Sequence, residues 1–234
     1  MIHHPRIFVA LDYADVNQAY AFVERVSPDQ CGLKVGKELF IRAGPEFIRQ
    51  LVTANFRVFL DLKFHDIPNQ VAGAVKSAAD LGVALLTIHA SGGTKMMTAA
   101  LNAIAAYACP PQIIAVTVLT SLTEADFKLF GMGLSLIQFS QQLTTLAYQV
   151  GIRGFVSSAH EVATLKQLAP EGVFITPGIR LDCDNAGDQS RVMAPCAALA
   201  AGADYLVIGR PITQATDPVA TLLNLNTLIN KGER

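Results

Sequence analysis

Eight short apolar runs alternate with eight amphipathic runs along this chain, and that alternation restricts its fold more than any other feature. The apolar runs are 6–11, 31–35, 57–62, 84–89, 112–119, 153–157, 172–176 and 204–208. Within the third, Val58-Phe59-Leu60 is short, continuous and β-branched or aromatic, the pattern of a strand buried on both faces. Helix-like runs follow at 15–26, 44–54, 68–81, 93–107, 135–149, 159–168, 190–201 and 215–230. Eight strand-then-helix units in 234 residues leave about 29 residues each, close to a minimal crossover unit. Such a series predicts a closed (β/α)8 TIM barrel of the α/β class. The rival, an open doubly wound sheet, usually carries a glycine-rich turn after its first strand. Here that strand runs into Leu11-Asp12-Tyr13-Ala14-Asp15, without glycine. No linker-like stretch divides the chain, so a single barrel domain over 1–234 is expected. Gly131-Met132-Gly133 and 177–189 read as loops. The second lacks apolar periodicity, and long irregular loops in compact domains are often lids or ligand-binding segments.

Composition narrows the function classes. With 51% hydrophobic and 16% charged residues the chain can bury a large core and is not of disordered type. Lys+Arg number 18 against 19 Asp+Glu, so no basic excess points to nucleic acid. Cys31, Cys109, Cys183 and Cys196 form no C-x-x-C pair and have no histidine at zinc spacing. A reduced, cytoplasmic protein without a structural metal is the simpler expectation. No signal-peptide pattern opens the chain, and no apolar run reaches the roughly 18–20 residues of a membrane span.

In a barrel of this kind the active site lies at the C-terminal strand ends. Asp12 follows the first strand, Lys34 lies on the second, and Asp61 and Lys63 close the third. His89 ends the fourth and Thr120-Ser121 the fifth. Pro177-Gly178-Ile179-Arg180 follows the seventh, and Gly209-Arg210 the eighth. Asp61 and Lys63 are two residues apart, so on a regular strand they share a face with Cα atoms roughly 6.6 Å apart. Pro68 stops the strand and can open a helix. Charges at the end of a buried strand are costly unless they pair or work, so a plain salt bridge and a catalytic site both remain open. Lys34 sits inside the apolar run Gly32-Leu33-Lys34-Val35-Gly36, either snorkelling from a strand end or held by carboxylates.

The last two strands carry a separate signal. Barrels of this type build phosphate sites from the loops after strands seven and eight. Gly178 and Gly209 permit close backbone approach, and Arg210 can grip an anion with paired donors. An arginine at a helix start is electrostatically misplaced unless an anion binds there. The two signals together imply a phosphorylated small molecule lying across the barrel mouth.

The nonapeptide Asp61-Leu62-Lys63-Phe64-His65-Asp66-Ile67-Pro68-Asn69 resembles the signature of the orotidine 5'-phosphate decarboxylase family. The likeness extends along the chain through Phe8-Val9-Ala10-Leu11-Asp12, Gly32-Leu33-Lys34-Val35-Gly36 and His89-Ala90-Ser91-Gly92-Gly93. It continues in Val118-Leu119-Thr120-Ser121, Thr176-Pro177-Gly178-Ile179-Arg180, Gly187-Asp188-Gln189 and Val207-Ile208-Gly209-Arg210-Pro211. The resemblance implies a cofactor-free carboxy-lyase that converts orotidine 5'-phosphate to UMP and CO₂, the last step of de novo pyrimidine nucleotide synthesis. It implies an alternating array of Lys34, Asp61, Lys63 and Asp66, with Lys63 as proton donor and Asp66 reaching the partner subunit's site in a homodimer. Asp12 and Lys34 would meet the ribose, and Thr120 and Ser121 the pyrimidine. Arg180, Gln189, Gly209 and Arg210 would hold the phosphate beneath a closing loop at 181–188. Ile67, Asn69, Gln70 and Pro177 complete the implied substrate contacts.

One position departs from the family pattern: threonine commonly follows Ile-Pro-Asn, and this chain has Gln70. Within the superfamily the rival is a magnesium-dependent sugar-phosphate decarboxylase or aldolase, which shares the Asp-x-Lys-x-x-Asp core. Ile67-Pro68-Asn69 and Thr120-Ser121 argue against it. A catalytically idle phosphate-binding barrel is the rival from another class, and the intact charged set argues against that.

Overall fold

The structure, a computed structural model, describes residues 5–180 and 193–232. Eight parallel strands close into a barrel in sequence order. They are β1 (Ile7–Ala10), β2 (Gly32–Gly36), β3 (Val58–Phe64), β4 (Leu85–His89), β5 (Gln112–Val116), β6 (Gly154–Val156), β7 (Val173–Thr176) and β8 (Tyr205–Ile208). The ring is completed by β8 pairing with β1, with Phe8 opposite Val207. The helices are α1 (Val16–Val23), α2 (Lys37–Thr53), α3 (Pro68–Ala79), α4 (Gly93–Ile104) and α5 (Glu124–Leu129). They continue as α6 (Leu136–Gln149), α7 (Val162–Leu168), α8 (Pro195–Ala200), α9 (Arg210–Thr213) and α10 (Pro218–Gly232). Among the described residues no helix is long and apolar enough to cross a membrane.

The core has two shells. Inside the barrel, Phe8, Phe59, Leu85, Ile114, Ile175 and Val207 form one buried cluster with Ala10. Phe8 packs edge-on against Phe59 and Tyr205, at centroid distances of 5.6 and 5.5 Å. A Cβ at Gly32 would collide with the Phe8 ring, so that glycine makes room for an aromatic side chain of the inner layer. Outside, a larger cluster fills the space between strands and helices. A parallel barrel buries its strands on both faces, which is why they are predominantly apolar.

Three sequence expectations need correction. The run 112–119 is a strand only to Val116. Its partner β6 has three residues, pairing with Ile114 to Val116, so the ladder stops where the partner stops. Thr120 and Ser121 therefore lie in the following turn, not at the strand end. The helix expected over 44–54 begins at Lys37 and is broken at Gly44, where φ is 70°. Gly44-Pro45 marks a kink between two helical pieces, because glycine tolerates that φ and proline opens the second piece. Short α5 was not foreseen, although Thr123 and Asp126 form a reciprocal capping box at its start. The 177–189 loop is described only to Arg180, and Cys183 lies outside the described residues, as does the start of the helix expected over 190–201.

Candidate active site

Four charges form a chain at the C-terminal mouth. Just after β1, Asp12 accepts a hydrogen bond from Lys34 Nζ at 3.0 Å. Lys34 Nζ lies 3.7 Å from Asp61 Oδ2, and Lys63 Nζ lies 2.8 Å from both Asp61 oxygens. The order is carboxylate, ammonium, carboxylate, ammonium, from the segment just after β1, then β2 and β3. Strand register sets it: Lys34 sits opposite Ala10 on one side and Phe59 on the other, while Asp61 sits opposite Gly36. Gly36 adds no side chain, and a Cβ there would come within 3.4 Å of Lys34 Nζ. Lys34 is buried, at 8% exposure. A lone buried ammonium would be expensive, and the two flanking carboxylates offset that cost. Burial pushes the Asp61 carboxyl pKa up. The Lys34 and Lys63 charges, with hydrogen bonds from Lys63 and Thr87, outweigh it and hold the pKa below the usual range.

The end of β3 is not a regular strand, which corrects the simple same-face picture of Asp61 and Lys63. Leu60 pairs with Leu86 and Phe64 with Ile88, so the register shifts between them. Lys63 has φ of 53°; besides the glycines only Asn55 shares a positive φ among the described residues. Such a backbone costs on the order of 1–3 kcal/mol and persists where its surroundings over-determine it. The side chain opposite is Thr87, fully buried, whose hydroxyl accepts the Lys63 N–H at 2.8 Å and donates to Asp61 Oδ1 at 3.1 Å. Sequence reading missed Thr87. The available signal was a hydroxyl in Leu85-Leu86-Thr87-Ile88-His89 on the inward row shared with Leu85 and His89.

A cavity of about 630 Å³ opens beside this chain of charges. Asp12, Lys34, Asp61 and Lys63 line one side of it. Val116, Val118, Leu119, Thr120 and Ser121 line another, so the turn after β5 still reaches the site. Pro177, Gly178, Arg180, Gly209, Arg210 and Gln214 complete the wall. Gln214 was not foreseen. Gly178 has φ of 77°, a conformation that favours glycine. At Gly209 a Cβ would lie 3.3 Å from the Ala10 side chain, so the end of β8 packs tightly on β1. Arg180 and Arg210 thus share a cavity with Lys63 although they follow strands seven and eight. Gln189 and the loop 181–188 lie outside the described residues.

Asp66, Ile67, Asn69 and Gln70 do not line this cavity. They form an exposed rim where β3 turns into α3, with Ile67 at 64% exposure. Asp66 Oδ1 accepts the N–H of Ile67 at 2.6 Å. Beside the rim, the His65 and His89 rings stand 5.2 Å apart with a 36° tilt. His89 is half-buried, and its pKa is pushed down to about 4, first by burial and then by the nearby His65, Lys63 and Lys37 charges. Among the described residues no group of three or more His, Cys, Asp or Glu side chains could hold a metal ion.

A closed (β/α)8 barrel with alternating charges at its C-terminal mouth, lining a cavity of mixed charged and apolar character, defines a barrel enzyme for a small-molecule substrate. The chain belongs to the orotidine 5'-phosphate decarboxylase / HUMPS family, whose model matches residues 5–225. Orotidine 5'-phosphate decarboxylase of Psychromonas ingrahamii is 53% identical over 224 residues, covering 95% of this chain and 96% of that protein. The Escherichia coli protein of the same name is 48% identical over 228 residues, covering 97% and 93%. The crystal structure of orotidine 5'-phosphate decarboxylase from Lactobacillus acidophilus matches with a TM-score of 0.86 at 32% identity, covering 97% of this chain and 100% of that one.

Proposed function

We propose that this chain decarboxylates orotidine 5'-phosphate to UMP and CO₂, in the last step of de novo pyrimidine nucleotide synthesis, with Lys63 as the proton donor. The observation that carries the reading is the unbroken Asp12, Lys34, Asp61, Lys63 chain of alternating charge on one wall of the cavity. Cleavage of the bond from C6 to the carboxylate leaves the electron pair on C6, where a vinyl carbanion has no good delocalisation. An ammonium aimed at that carbon stabilises the developing charge and then delivers its proton. Solvent restores the proton to Lys63. Asp61 stands beside the departing carboxylate and fixes the lysine.

Arg180, Gly209 and Arg210 grip the phosphate, joined by Gln189 from the loop. Thr120, Ser121 and Pro177 frame the pyrimidine, and Asp12 and Lys34 meet the ribose hydroxyls. The phosphate lies away from the breaking bond, so its binding energy can serve to assemble the site. We place Asp66, Ile67, Asn69 and Gln70 in the site of a second copy, as a homodimer sharing its active sites. Their exposure, and that of an aliphatic Ile67 on a polar rim, supports this placement. The chain would act as one domain in the cytoplasm, in keeping with free Cys31, Cys109 and Cys196.

The direct test is to incubate pure protein with orotidine 5'-phosphate and follow the loss of orotate absorbance, with and without prior chelation. Turnover in both arms is expected. Turnover that vanishes on chelation and returns with Mg²⁺ would move the chain to magnesium-dependent chemistry, and no turnover in either arm would sink the reading.

A further inference from the structure

We propose that Thr87 is a positioning residue whose hydroxyl holds the Asp61 carboxylate and the Lys63 backbone in register with each other. The inference rests on the decarboxylase reading, because it assigns a residue to that reaction.

The register of β3 on β4 carries the argument. Between the paired positions Leu60–Leu86 and Phe64–Ile88, β3 has Asp61, Leu62 and Lys63 while β4 has only Thr87. Surplus residues in a bulge lose their regular ladder partners. The Lys63 N–H bonds to the Thr87 hydroxyl oxygen. A hydroxyl has one proton to give, and here it goes to Asp61 Oδ1, the same oxygen that accepts from Lys63 Nζ. One side chain therefore ties both ends of the Asp61-Leu62-Lys63 segment. It also secures the positive φ at Lys63, which an unsupported lysine would leave for a lower-energy region.

Location makes the bond hard to replace. Thr87 is fully buried on the inward row of β4, above Leu85 of the barrel core and below His89 at the mouth. Water has no access there, so removing the hydroxyl leaves a buried N–H and a carboxylate oxygen short of partners. The segment would relax, and the Lys63 ammonium would move relative to a substrate fixed elsewhere. A misplacement of about 1 Å can cost on the order of a hundredfold in rate while substrate binding is kept.

The experiment compares Thr87→Val, Thr87→Ala and Thr87→Ser with the wild type, measuring kcat, KM, UMP affinity and Tm. Valine keeps the shape without the hydroxyl; alanine also removes it, with less bulk, and answers the question should the valine variant fail to fold. Both are expected to lose roughly 10–100-fold in kcat, with KM and UMP affinity within about threefold of wild type if the cavity stays intact. Serine restores both hydrogen bonds and is expected to stay within about threefold of wild-type kcat. A folded valine or alanine variant with wild-type kcat, or a serine variant as slow as alanine, overturns the assignment. Wild type without turnover is a different result, seen before any variant is made, and it removes the functional reading itself.

Discussion

The Lys63 ammonium stands 2.8 Å from each carboxylate oxygen of Asp61, so one cation is forked across one anion. Asp61 is engaged on its far side as well, with Lys34 at 3.7 Å and the Thr87 hydroxyl at 3.1 Å. A carboxylate held from several directions is a fixed charge, and whatever it orients is fixed with it. Preorganised charge of this kind needs no rearrangement as a reaction proceeds, which is why it contributes strongly to catalysis. Asp61 belongs to the buried wall and Lys63 to its edge, with side chains 13% and 26% exposed. The lysine is thus the member of the pair better placed to meet a ligand.

Lys63→Ala should abolish turnover while leaving the barrel folded. Loss of a general acid costs about 10²–10⁴-fold, and the same ammonium also supplies charge stabilisation, so a loss of about 10⁴-fold or more is expected. Lys34 and Thr87 still engage Asp61, so circular dichroism should match the wild type. A well-folded variant keeping more than a small fraction of wild-type kcat removes Lys63 from the proton-donor role.

His89 gives the fold an acid sensitivity that can be isolated. In the folded chain its pKa is pushed down to about 4, from an ordinary histidine value of 6.5. Between those values the unfolded chain holds the proton and the folded chain does not, so stability falls as pH drops through that window and levels off below it. The ring is partly exposed, and the discounted effect is on the order of 1 kcal/mol, or about 2–4 °C in Tm for a chain of this size. His89→Gln should show a shallower fall in Tm from pH 6.5 to 4. Identical slopes in both proteins would rule His89 out as the source.

The barrel was legible because its strand-then-helix unit recurs: eight apolar runs, each followed by an amphipathic run, leave few other closures. Lys34, Asp61 and Lys63 were legible for a different reason, since charge inside or at the end of a buried strand has to be explained. Thr87 gave no such warning, because threonine is an ordinary strand former and its importance comes from a bulge that no local pattern encodes. The first piece of α2 was hidden by Gly44-Pro45, which resembles a helix start as much as a kink. Asp66 shows the limit of one chain. Its candidacy rests on family resemblance, and among the described residues its carboxylate reaches only the neighbouring Ile67 N–H.

Arg210→Ala should weaken a phosphate-bearing ligand far more than its nucleoside counterpart. The residue opens α9 and lines the same cavity as Gly178, Arg180 and Gly209. A charged hydrogen bond to a partly buried phosphate contributes about 1.5–3 kcal/mol, roughly 10–100-fold in affinity. Binding of UMP and uridine to wild type and variant measures the difference. Equal losses for both would show that Arg210 acts on the fold of the loop and not on the phosphate.

Asp66 and Lys63 together test the shared site. Both lie at the end of β3, but Asp66 points to the rim with Ile67 while Lys63 faces the cavity. A two-fold, self-complementary contact around residues 64–70 would bring each rim to the other copy's cavity. Asp66→Ala and Lys63→Ala should then each be nearly inactive as homodimers. Mixed in equal amounts and allowed to exchange subunits, half of the dimers become mixed, and each of these has one site with both residues intact. Activity should recover to about a quarter of wild type under this symmetric-dimer model. Light scattering establishes the dimer and a tagged subunit establishes exchange. Proven exchange with no recovery would mean that Asp66 acts only within its own chain, and the rim would then need a role other than completing a neighbour's site.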